Sequence, residues 1–201
     1  MVMKLVEGPL AAVASGFAVL FSGFTLWETT LQSSDLRVFV PPVIYYAGHQ
    51  PNTTVEALKI PVTLVNEGAQ TGAVLSLTLT VSDQAGRSKT FYSASTVPDQ
   101  GAPAPFTPIV LEGHSSKSAL LLFYTRGAAE TVEQIIGAPG SYKFTLTLDE
   151  GRSQGGLFNL LGPKDATKLG FARALPSYDA RMDAMPLYAE NWQSSVSGES
   201  K

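Results

Sequence analysis

The chain has 201 residues, a net charge of −3 and a pI near 5.4, so no cationic excess is available for nucleic acid or acidic lipid. It contains no cysteine, which excludes disulfides, thiol catalysis, cysteine-held zinc or iron–sulfur clusters and lipidation through cysteine. Charged residues make up only 15%, below the roughly 25% of ordinary soluble chains, partly because the N-terminal region is almost uncharged.

A short flank, 1–7, precedes GPLAAVASGFAVLFSGFTLW at 8–27, a run with no charge between Glu7 and Glu28. A helix of about 20 residues spans about 30 Å, the thickness of a bilayer's hydrocarbon core. Its polar side chains, Ser15, Ser22 and Thr25, can bond back to the helix backbone. Pro9 suits a first turn, and Trp27 suits the interface where the run ends. The small-x-small pattern Ala12-Val13-Ala14 comes before most of the apolar residues, too early for a cleavage site. The expectation is therefore an uncleaved transmembrane helix that meets the lipid bilayer through residues 8–27. A cleaved export signal and a buried soluble helix are the alternatives.

Gly16 and Gly23 lie seven residues apart, each after a serine, and share one helix face. They are candidate contacts for a second helix, although glycine and serine are also common in membrane helices for no specific reason. Lys4 precedes the run, whereas the first cation after it is Arg37. That balance places the N-terminus inside and the large domain outside the cytoplasm.

Beyond the helix the hydrophobic period becomes two. Leu58, Ile60, Val62 and Leu64 alternate with other residues, as do Leu75, Leu77 and Leu79, and then Tyr142, Phe144 and Leu146. Each set predicts a strand with one buried face. With Phe123, these residues form the expected core. Weaker strands fall at 36–46, 89–95, 106–111 and 118–125, and Pro41-Pro42 breaks the first of them. NEGAQTG, SDQAGRS, EGHSSKS and APGS supply turn chemistry between them. The pattern predicts a mainly β domain over 28–154, an antiparallel β-sandwich of about seven strands, with a helix-like interruption at 127–137.

The Pro-rich stretch 97–108 reads as an exposed loop carrying Phe106. Residues 155–193 read as a C-terminal extension packed on the sandwich, in which Met182, Met185, Tyr188 and Trp192 have near-helical spacing. Residues 194–201 read as a disordered tail. Phe106, Met182, Met185 and Trp192 are candidate interaction residues, because Met and aromatic side chains are enriched at interfaces.

VNEG at 65–68, VLEGHSSKSALLLFY at 110–124 and APGSYKFTLTLDEG at 138–151 resemble the immunoglobulin-like modules of bacterial surface proteins, particularly the cell-adhesion-related domain found in bacteria. The resemblance covers roughly residues 55–151. It implies an immunoglobulin-like sandwich and transfers no active site. With the helix, it implies a single-pass protein of the bacterial inner membrane with a periplasmic domain.

Catalytic signals are sparse. His49 and His114 each sit in a turn, and no histidine pair has metal-ligand spacing. Asp149 with Glu150, or Asp179 with Asp183, reads as a solvated pair before a loose calcium site. Asn52-Thr53-Thr54 is a glycosylation pattern only in a eukaryotic secretory setting. No nucleophile elbow, phosphate loop or dinucleotide fingerprint is present. The expected function is a membrane-anchored, non-enzymatic module that binds a partner protein or serves as an accessory subunit, with no cofactor and no nucleic acid. The alternative is a sandwich-fold hydrolase or carbohydrate-active protein.

Overall fold

A computed structural model describes residues 7–48, 56–98, 102–125, 134–151, 166–179 and 181–190. His49, Asn52, Trp192, most of the expected helical interruption at 127–137, the apolar stretch 155–162 and the tail 194–201 lie outside the described residues. The apolar run forms one helix, α1 (Glu7–Leu26), continued by a π-helical turn, Trp27–Leu31. The hydroxyls of Ser15 and Thr25 donate to the carbonyls one turn back, which removes their need for other partners. Every described side chain of α1, residues 11–26, is exposed.

Among the described residues eleven strands come after it: β1 (Leu36–Phe39), β2 (Val43–Ala47), β3 (Ala57–Asn66), β4 (Gly72–Ser82), β5 (Ser88–Val97), β6 (Ala104–Pro105), β7 (Ile109–Leu111), β8 (Ser115–Tyr124), β9 (Gly140–Gly151), β10 (Lys168–Leu175) and β11 (Met185–Tyr188). They do not make two facing sheets. Eight of them close into an antiparallel barrel in the order β5-β8-β3-β2-β11-β10-β9-β4, with β4 returning to β5. β1, β6 and β7 lie outside that ring, paired with β3, β5 and β4 respectively.

This overturns both the sandwich and the immunoglobulin-like resemblance. The closing strand is β5, which pairs with β4 through Ser88–Tyr92 and with β8 through Tyr92–Val97, so one strand joins what would otherwise be two sheet edges. A register shift between Ser93 and Ser95, within the pairing to β8 and just past the end of the pairing to β4, bends it. Closure leaves the ring without free edges. β10 and β11 come from the span expected as an appended extension, yet they are two of the eight staves.

The inward faces form one core that includes Leu58, Ile60, Val62, Leu64, Leu77, Leu79, Phe123, Tyr142, Phe144 and Leu146. These are the expected core residues with one exception. Leu75 is 46% exposed and Val74 is buried in its place. A register shift between Val74 and Ser76, where β4 pairs with β9, puts an extra residue in β4 and reverses the faces before it.

The Pro41-Pro42 break divides one strand path into two. β1 pairs with the end of β3 and β2 with its beginning, because proline cannot donate to a ladder.

Candidate functional site

The joint between helix and barrel is built from three loops. Gln32 in the linker accepts backbone hydrogen bonds from Ala69 and Gln70, and Glu67 N–H donates to Asp35. Asn66, wholly buried, organises the rest: its Oδ1 accepts from the Asp35 and Gly68 N–H groups, and its Nδ2 donates to Gln70 O at 2.8 Å and Glu112 O at 3.0 Å. The loops approach so closely that a Cβ on Gly68 would lie 2.0 Å from Ser33 O, and one on Gly113 1.9 Å from Ala69 O. The VNEG and EGHSS turns therefore serve backbone contact at the joint with the helix. His114 belongs to the same joint. Its backbone takes a positive φ of 51°, and its Nε2 lies 3.1 Å from Glu28 O in the π-helical turn. That contact is to a backbone carbonyl of the turn that follows α1.

On the outer wall, midway along β3, lies an open groove of about 520 Å³. Phe39, Val40 and Pro41 form one side, and Pro61 and Thr63 of β3 with Ser118 and Leu120 of β8 form the floor. The groove exists because the chain leaves the β3 ladder at Pro41, uncovering the outer face there. Phe39 is 54% exposed at its rim. Thr63 Oγ1 and Ser118 Oγ, 3.0 Å apart, are hydrogen-bonded to each other, and no lining residue is ionisable. The arrangement can accept apolar or aromatic groups and offers no acid or base.

At the far barrel end, about 30 Å along β3 from the joint, sits a buried polar cluster. Glu56, just before β3, accepts from Tyr46 Oη and from the Ile135 N–H through Oε1, and pairs through Oε2 with Lys89 of β5. Tyr46 and Glu56 are fully buried and Lys89 is 9% exposed. Burial, reinforced by the charge of Glu56, pushes the Tyr46 phenol well above its usual range, so it stays protonated and donates. Gln134 Nε2 donates to Tyr178 Oη nearby at 2.8 Å.

A second buried cation lies in the wall. Arg173 donates to Pro41 O at 2.6 Å and Ala172 O at 2.7 Å, and stands 4.8 Å from the Phe171 ring centroid. Burial pulls its guanidinium below the usual value.

The expected interaction residues fall in different places. Gly16 and Gly23 have nothing within 4 Å of a built Cβ, so their helix face is open. Phe106 is half-buried against the core, its N–H held by Ala94 O at 2.9 Å, and the stretch after Gly101 contains β6. Met182 is 51% exposed, whereas Met185 is 2% exposed and faces the barrel interior from β11. The segment expected to be helical is therefore a strand at Met185, and that side chain belongs to the core. Asp149 accepts from Ser76 Oγ and Glu150 from Thr167 Oγ1, and no group of three or more potential metal ligands occurs among the described residues.

Sequence reasoning did not single out Glu56, Lys89 or Tyr46. The available signal was Lys89 at the inward parity of Phe91 in β5. The groove residues gave none, because a groove made by a strand leaving a ladder has no local pattern.

The described residues define the class as a closed eight-stranded antiparallel barrel, with three outer strands, joined by a clamped linker to one N-terminal apolar helix. That helix is long and apolar enough to cross a membrane by length and composition, with the candidate span at Ala11–Leu31. An anchor and a signal sequence both fit it. No protein-family profile and no curated protein matches the chain. Among solved structures, a Bordetella pertussis protein provisionally named ApaA is similar at 11% identity, covering 79% of this chain and 97% of that one, with a TM-score of 0.36. A likeness that loose carries no argument about this chain.

Proposed function

We propose that the chain is a single-pass membrane protein of the bacterial inner membrane that acts without catalysis. Its helix spans the bilayer, and its barrel outside the cytoplasm binds a partner protein through the groove rimmed by Phe39. The observation that carries this reading is the combination of an all-round apolar, unburied helix with a linker tied to the barrel loops by backbone hydrogen bonds. A helix that is apolar on every side needs lipid or protein around it. The joint, tied by backbone bonds at Gln32, then holds the groove at a set height above the membrane surface. The groove's apolar lining suits a partner's aromatic or aliphatic side chains.

The test has two arms. Full-length protein should sediment with membranes and resist alkaline extraction, and protease added outside spheroplasts should cut the barrel. A photo-crosslinker placed at Thr63 should yield one adduct, identifiable by mass spectrometry, that disappears with Phe39→Glu while thermal stability is retained. A full-length chain recovered in the soluble fraction would overturn the anchor. An adduct unaffected by Phe39→Glu would overturn the groove.

A further inference from the structure

The Glu56–Lys89–Tyr46 cluster places an amine against a carboxyl in a buried site, and the groove function makes no use of it. We propose that Lys89 and Glu56 condense to an intramolecular amide that staples β5 to the start of β3. The two residues are 33 apart in sequence, and β8 lies between their strands in the ring, so the bond would bridge non-neighbouring staves. In a chain without cysteine it would be the available kind of covalent staple.

The geometry assigns a role to each contact. Lys89 Nζ is in contact with Glu56 Oε2, in reach of the carboxyl carbon, which is the proximity that turns a two-molecule reaction into an internal one. Glu56 Oε1 receives two donors, Tyr46 Oη–H and Ile135 N–H at 3.0 Å. Both are placed to stabilise negative charge on that oxygen as the carbon becomes tetrahedral. Tyr46 keeps its proton because burial raises its pKa, so this donor persists at neutral pH. Glu56 and Tyr46 are fully buried and Lys89 is 9% exposed, a burial that limits the water available for hydrolysis.

The step balances without any co-reactant. A proton passes from the Lys89 ammonium to the Glu56 carboxylate, giving amine and acid. The amine lone pair attacks the carboxyl carbon, and the C=O electron pair moves to Oε1. Nitrogen then gives up its excess proton, Oε2 departs as water, and the carbonyl re-forms at Oε1. One C–N bond forms and one C–O bond breaks, with nothing oxidised or reduced. The gain is electrostatic. A buried ion pair carries the desolvation cost of two charges, and a neutral amide carries neither.

Intact-mass measurement of the full chain in detergent tests this directly. The folded protein should be lighter than its sequence by one water, and tandem spectra of a digest should contain a branched peptide joining the Glu56 and Lys89 segments. Lys89→Arg keeps the positive charge but removes the nucleophilic amine, and should restore the full sequence mass. Tyr46→Phe retains the ion pair and should lower the cross-linked fraction at a given time after folding. A folded wild-type chain that keeps its full mass after prolonged incubation, or a water loss that maps elsewhere or persists in Lys89→Arg, would overturn the proposal and leave the cluster an ion pair.

Discussion

At the scale of single residues, Asn66 at one end of the barrel and the Glu56 cluster at the other are buried polar groups that do different work. Asn66 uses both ends of its amide to hold three loops together at the helix joint, so its burial is fully compensated. Tyr46 has the opposite electrostatic character, a neutral phenol held against a carboxyl. Its raised pKa has a consequence at alkaline pH. An unfolded phenol loses its proton near 10, whereas the folded Tyr46 retains it. Above that pH the folded state binds more protons than the unfolded state, so stability falls as pH rises. Chemical denaturation of wild type and Tyr46→Phe from pH 8 to about 11 should therefore show a wild-type stability that declines more steeply. Parallel curves would mean that Tyr46 titrates normally. This behaviour was not legible in the sequence, because Tyr46 looked like one member of an apolar strand until Glu56 was seen to approach it from the start of β3.

At the scale of elements, alternation identified the strong strands, and a single inserted residue defeated it in one of them. From Leu77 to Val81 the odd positions of β4 face inward as expected, but before the shift at Ser76 the buried residue is Val74. Periodicity cannot locate such a bulge, because it depends on the partner strand's count. The two leucines should therefore respond differently. Leu77→Ala should cost about 2–5 kcal/mol by opening a cavity, whereas Leu75→Thr, on the outer face, should stay within about 0.5 kcal/mol. Urea or thermal unfolding of both variants checks this, and equal losses would contradict the register. β11 failed for a different reason. Met182, Met185 and Tyr188 fit a helical spacing, but Met185 and Leu187 alternate equally well with Pro186 and Tyr188, and four residues are too few to separate the two periods. Only pairing with β2 and β10 decides in favour of a strand.

At the scale of the whole molecule, the β10–β11 segment is the part whose role changed most. In a sandwich ending at 154, the residues beyond that point are dispensable. In the observed ring, β10 pairs with β9 along its full length, from Lys168 to Leu175, and β11 links β10 to β2. Phe171 stacks on Phe144 with ring centroids 5.2 Å apart. A chain truncated after residue 154 should therefore fail to fold and should aggregate or be degraded, because it exposes the edges of β9 and β2 and the face of Phe144 that stacks on Phe171. A truncated chain with native-like cooperative melting would show that the remaining strands close without them.

By itself, the sequence determined the features that depend on local composition: one apolar helix of membrane-spanning length, a β domain after it, the inward faces of its strong strands and the break at Pro41-Pro42. Their physical basis is short-range, since a bilayer-length apolar run, a period of two and a missing N–H can each be read within a few residues. Only the tertiary structure decided between two sheets and one closed ring, seated β10 and β11 within the wall, opened the groove beside Phe39 and brought Glu56, Lys89 and Tyr46 together. Those outcomes depend on which strands pair and on where bulges bend them. Strand pairing joins residues far apart in sequence, and alternation is the same whether a buried face looks across a sandwich or into a barrel.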